Sequence, residues 1–128
     1  MKTFIFVLTP TPKPRMTDRD RGKHYHYLGQ RPCVAKYFKY KQDLQYLALI
    51  NKFKIQDFNM FISFEFKAKN DKLLLLPHQK TPDIDNLLKG FFDAFSDNDE
   101  TIYNVFAEKK WSTQDCIKVI IYDKVTFE

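Results

Sequence analysis

Glycine, cysteine and long apolar runs are all scarce in this 128-residue chain, and each scarcity excludes something. Three glycines leave no room for a glycine-rich phosphate cradle or a collagen-like repeat. Two cysteines, Cys33 and Cys116, neither staple a disulfide framework nor complete a zinc site, which fits a reducing compartment. No apolar run approaches the roughly 20 residues needed to span a bilayer. Residues 2–8 are apolar enough to imitate a signal peptide, but they run into Thr9-Pro10-Thr11-Pro12-Lys13-Pro14-Arg15 with no small-residue cleavage site. They are better taken as a strand of a cytoplasmic protein without a membrane partner. What is abundant is hydrophobic residue, 44% of the chain, which excludes disorder as the main state. The length suits one domain spanning residues 1–128.

Charge is unevenly placed. Residues 1–54 carry 12 Lys and Arg against Asp18, Asp20 and Asp43, a net +9. Residues 83–100 carry six acids against Lys89 alone, a net −5. A cationic half suits a polyanion, because neutralised phosphates release counterions. An acidic knot in the same chain should repel that polyanion. Either it faces away, or a divalent cation neutralises it.

The pattern of elements is βαβαββ. Thr3–Leu8 has the composition of a buried strand closed by Pro10. Residues 9–32, with four prolines and the early glycines, form a mobile basic loop. Residues 34–51 place Tyr37, Tyr40, Leu44, Leu47 and Ala48 on one helical stripe. From Phe58 to Ala68 apolar and polar positions alternate, as in a strand with one face in the core. Ile84, Leu87, Leu88, Phe91, Phe92 and Phe95 follow helical spacing behind the start signals Pro82 and Asp83. Two strands follow, near 101–110 and 116–125, joined by a turn near Ser112–Gln114. The order predicts an α+β fold with helices packed on a mixed sheet.

Chemistry concentrates in Thr81-Pro82-Asp83-Ile84-Asp85-Asn86-Leu87-Leu88-Lys89. Asp83 and Asp85 flank a helix start, where free N–H groups and the helix dipole favour carboxylates. Lys89 lies one turn after Asp85. Asp97-Asn98-Asp99-Glu100 supplies further acids just before a strand. Two carboxylates from one element and a third from another make a hard-oxygen site for Mg²⁺ or Mn²⁺, able to activate water against a phosphodiester. The plainer alternative makes Asp83 an N-cap and Asp85–Lys89 a surface pair.

The stretch from Pro82 to Phe95 resembles the central motif of the RusA family of Holliday-junction resolvases, Asp-x-Asp-Asn-Leu-x-Lys-x-x-x-Asp-Ala-Leu. In that family an Asp-Asp-x-Gln-Val/Ile segment follows and leads into a strand with a lysine. The proline-rich, basic residues 10–15 also resemble the family's entry segment. The resemblance implies a homodimeric, Mg²⁺-dependent endodeoxyribonuclease that binds branched DNA, four-way junctions above all, and nicks two strands symmetrically. Such enzymes are bacterial and often phage- or prophage-encoded. Carried over by position, Asp83, Asp85 and Asp99 hold the metal, and Lys89 is the catalytic-site lysine. Two departures stand out. The Asp-Asp pair is Asn98-Asp99 here, with Asp97 displaced by one as the alternative third ligand, and the loop after Phe95 is shorter.

Lys13, Arg15, Arg19, Arg21 and Lys23 are expected to form a DNA-contacting arm, with Lys80 a further phosphate contact. His24 and His26 alternate in the basic loop and are better placed for DNA than for metal. Phe61 lies on the polar side of its strand, as a second core layer or a dimer contact. Leu73–Leu76 suggests core or interface. Two other readings remain: a junction-binding protein whose damaged metal site no longer cuts, and a basic RNA- or protein-binding module.

Overall fold

The computed structural model describes residues 1–15, 31–54, 59–95 and 102–122. Its longest element is helix α1, Pro32–Ile50. Pro32 begins it at the position where a missing N–H costs nothing. Val34, Tyr37, Tyr40, Leu44 and Ala48 are its buried stripe. Its C-terminus is closed by Lys52 in the left-handed region (φ 56°). The Lys52 N–H donates to Leu49 O at 3.2 Å and the Phe53 N–H to Ala48 O at 2.8 Å. This pairing satisfies the last carbonyls and turns Phe53 into the core. There the Phe53 ring meets Phe4, Phe6, Phe91 and Phe95 edge-on, with centroids 5.0–6.2 Å apart.

Helix α2, Ile84–Asp93, buries Leu87, Gly90 and Phe91. Both helices pack on one face of a four-stranded sheet made of β1 (Lys2–Phe6), β2 (Asn59–Lys67), β3 (Asn104–Ser112) and β4 (Cys116–Tyr122). The core between them is built from Phe6, Tyr37, Leu44, Met60, Ile62, Phe64, Leu87, Phe91, Ile117 and Val119. The order of elements and the α+β class are those the hydrophobic periodicity predicts.

Strand order is β1-β4-β2-β3, with β2 and β3 parallel and the other neighbours antiparallel. The short link between β3 and β4 therefore makes no hairpin, because β2 lies between them. It steps across the end of β2 instead. The Ala68 N–H donates to Ser112 O at 2.8 Å, and the Lys67 N–H to Asp115 Oδ1 at 2.7 Å. Asp115 Oδ2 also accepts the Thr9 hydroxyl at 2.8 Å. The parallel β2–β3 pair needs a long crossover, and α2 provides it.

The central place of β2 changes its polar face. Ser63 and Glu65 are buried, not solvated. Ser63 donates to Glu108, and Glu65 sits 3.8 Å from the Lys110 ammonium. Burial first, then the charge of Glu65, raise the neighbouring Cys116 thiol to about 11. The apolar part of this helix-free face holds Ile5, Phe61, Phe106 and Ile120, with Phe61 stacked on Phe106 at 5.7 Å. Residues 75–78 run antiparallel along the outer rim of β3. Their backbone is paired there, while the Leu75 and Leu76 side chains stay exposed.

Residues 9–15 cross α2 as a strap. A Cβ on Gly90 would stand 2.9 Å from Thr11 O, 3.3 Å from Lys13 N and 3.3 Å from Tyr37 Cε1. Alanine is the better helix former by about 1 kcal/mol, but backbone atoms of the strap cannot swing aside as a side chain can. Gly90→Ala should therefore lower stability by about 1–2 kcal/mol in urea unfolding, against its helix propensity.

Candidate active site

Two aspartates open α2 and neither serves the plain structural role open to it. Asp83 occupies the N-cap position with an extended backbone (φ −70°, ψ 144°), and its carbonyl accepts the Leu87 N–H at 3.1 Å. Its carboxylate makes no capping hydrogen bond. Asp85, in the first turn, is exposed, as is Lys89 one turn later. Among the described residues no ion pair joins Asp85 to Lys89. Two bare carboxylates thus share the positive end of a helix whose apolar side, Leu87 and Phe91, is locked in the core.

The chain entering this helix is held from the sheet. Lys109, on β3, donates from Nζ to Lys80 O at 2.6 Å and to Pro82 O at 2.8 Å. The His78 N–H donates to Lys109 O at 3.1 Å, and the Lys80 N–H to His78 Nδ1 at 3.3 Å. The His78 ring is buried, stacked on Trp111 at 4.1 Å and 4.7 Å from Phe66. Burial, then the Lys109 charge, hold its pKa below the ordinary 6.5, so it is the neutral ring that accepts from Lys80.

The far end of α2 carries a different kind of acid. Asp93 accepts the Tyr37 hydroxyl at 2.6 Å and the Lys41 ammonium at 3.1 Å, with Lys13 Nζ 3.8 Å away. Partial burial raises its pKa, but the Tyr37 and Lys41 hydrogen bonds and the two ammonium charges outweigh that and bring it below 3.8. Burial and the same carboxylate push the Tyr37 hydroxyl strongly upward. The Lys41 ammonium also lies 4.8 Å from the Tyr37 and Phe38 ring centres. The Gln45 amide donates to Ala94 O, closing the end of α2.

Of the expected site residues, Asp83, Asp85 and Lys80 lie at the start of α2 and its entry, and Lys89 stands one turn after Asp85. Lys13 crosses the middle of the same helix, with its N–H donating to Asn86 O at 3.0 Å. Arg15 is exposed, and its carbonyl accepts from the Arg31 guanidinium at 2.7 Å. Arg19, Arg21, Lys23, His24, His26, Asp97 and Asp99 lie outside the described residues. Among the described residues no three His, Cys, Asp or Glu side chains come together. Asp83 and Asp85 are hard oxygen donors without a partner among the described residues, a donor type that fits a divalent cation completed by further ligands. The roles of Asp93 and Lys109 escape sequence reasoning. Asp93 counts there as one acid of a cluster and as a motif aspartate without an assigned role, and Lys109 only as the lysine of a strand.

A family model described as endodeoxyribonuclease RusA matches residues 8–122 of the chain. No curated protein matches it.

Asp93→Asn should cost about 1.5–3 kcal/mol of stability near neutral pH, the worth of hydrogen bonds to a charged group. The folded carboxyl has the lower pKa, so this stabilisation is complete above about pH 4. It fades as pH falls through the folded value. Unfolding curves of wild type and Asp93→Asn should converge with acidification, and parallel curves would deny Asp93 its role.

Proposed function

The chain belongs to the RusA endodeoxyribonuclease family, an endonuclease family acting on Holliday junctions, and from that premise we propose a Mg²⁺-dependent enzyme that resolves branched DNA by paired nicks. One observation carries the reading: Asp83 and Asp85 stand exposed, without a partner among the described residues, at the start of a helix anchored in the core. In this proposal they hold Mg²⁺, or Mn²⁺, with Asp99 as the third ligand. Bound there, the ion would supply Lewis acidity to activate an attacking water and positive charge for the phosphoryl oxygens. Lys89 faces the same region and stabilises the phosphate or the leaving oxygen. Lys80 and Arg15 bind the DNA backbone on either side, joined by Arg19, Arg21 and Lys23 of the basic segment. Lys13 is shared between that segment and Asp93.

Paired cuts require two sites, so the working form is a homodimer. A second copy finds its place on the helix-free sheet face, where Ile5 and Phe106 are exposed beside Phe61 and Ile120. Lys118 and Glu108 lie on that face too, opposite charges that a two-fold axis can exchange between copies. The enzyme is proposed to work in the bacterial cytoplasm, encoded by a phage or prophage. Among the described residues no helix is long and apolar enough to cross a membrane.

The test is incubation of labelled four-way junction and linear duplex with Mg²⁺ or with EDTA. Wild type should nick the junction only with Mg²⁺. Asp85→Asn should be inactive yet keep its junction affinity, since it loses a ligand and a charge facing phosphate. Full activity in Asp85→Asn would overturn the metal site. Junction binding by wild type without any nicking would instead favour a binding protein.

A separate measurement addresses assembly. Light scattering should give the wild type near twice its 15.4 kDa mass, and Phe106→Glu should reduce it to the monomer. A wild type that stays monomeric on junction DNA would defeat paired incision.

A further inference from the structure

Lys109 is the one charged side chain that β3 sends to the helix-covered face of the sheet, since its register partner is the core residue Phe64. Such a position ordinarily takes an apolar residue. The stem lies half-buried, and the ammonium emerges where the chain enters α2. There it takes two carbonyls, Lys80 O and Pro82 O, from either side of Thr81. These bonds span 29 and 27 residues of sequence, so they tie the entry of α2 to a different layer of the molecule. The same strand residue accepts the His78 N–H through its own carbonyl. One residue thus clamps segment 78–82 at both of its ends.

The residue immediately after that clamp is Asp83. Its side chain has no capping bond to fix it, so its place depends on the backbone that delivers it. We propose that Lys109 is a positioning residue for the metal site: by holding Lys80 O and Pro82 O it sets where the Asp83 carboxylate stands relative to Asp85. This rests on the reading of Asp83 and Asp85 as metal ligands. Lys109 supplies no ligand itself, since an ammonium has no lone pair to offer.

The experiment compares wild type, Lys109→Met, Lys109→Arg and Lys109→Gln, all metal-free at the start. Lys109→Met keeps the stem and removes both hydrogen bonds. Amide exchange over residues 79–87 should speed up in Lys109→Met while the α1 core amides stay protected. Mn²⁺ affinity, followed by calorimetry, should fall about 10- to 100-fold, as for loss of a group that orients a ligand. Lys109→Arg, which can still donate to both carbonyls, should recover most of both losses, and Lys109→Gln less. Unchanged local exchange and unchanged Mn²⁺ affinity in folded Lys109→Met would overturn the proposal. Should Lys109→Met fail to fold, Lys109→Gln carries the same two readings. A wild type that binds no Mn²⁺ would defeat the metal reading itself, while the exchange measurement still decides whether Lys109 holds the entry to α2.

Discussion

Asp93 gathers three attachments on one carboxylate: the Tyr37 hydroxyl and the Lys41 ammonium from α1, and the Lys13 ammonium from the strap. The strap has particular need of it. Three of its seven residues are prolines, without N–H groups to donate, so it cannot be secured by a regular ladder. Its free N–H at Lys13 goes to Asn86 O, and its Lys13 ammonium goes to Asp93. Gly90, one turn from both Asn86 and Asp93, lets the strap lie against the helix. The position of the basic entry segment relative to α2, and hence to Asp83 and Asp85, follows from this small set of contacts.

The same helix separates two uses of acidic residues in a basic protein. At its C-terminal end Asp93 is neutralised internally by lysines of the cationic half, so part of the charge conflict is resolved within the fold. At its N-terminal end Asp83 and Asp85 have no such compensation among the described residues and are exposed at the positive end of the helix dipole. An acid tied by hydrogen bonds adds stability. A bare pair has only the helix dipole to set against its mutual repulsion, unless a cation binds. The distribution of partners, not the acidity of the segment, marks which end does chemistry.

Strand β3 frames that end. It lies at the edge of the sheet, parallel to β2, and its outer rim is occupied by residues 75–78. Trp111 stacks on the His78 ring and Lys109 holds the carbonyls of residues 80 and 82. The approach to the candidate site is thereby built on a strand more than twenty residues later in sequence. A buried neutral His78 completes it, accepting from the Lys80 N–H where a charged ring would offer only another donor.

Periodicity alone determined the elements. The stripes on α1 and α2 and the alternation in β2 are local patterns, each produced by one face meeting the core, and they are legible without any partner. The pairing of Asp83 with Asp85, and Lys89 one turn on, was legible for the same reason, since helical geometry places them together. Tertiary structure alone decided the rest. A short link suggests a hairpin, yet β2 inserts between β3 and β4, and that central place buries its second face, Ser63 and Glu65, as well. Both Asp93 and Asp85 are aspartates on one helix; what sets Asp93 apart is Tyr37 and Lys41, more than fifty residues away. Lys109 looks like any strand lysine until the sheet carries it under the loop it holds. Local spacing specifies which face a side chain takes, but only the packed fold specifies what it meets there.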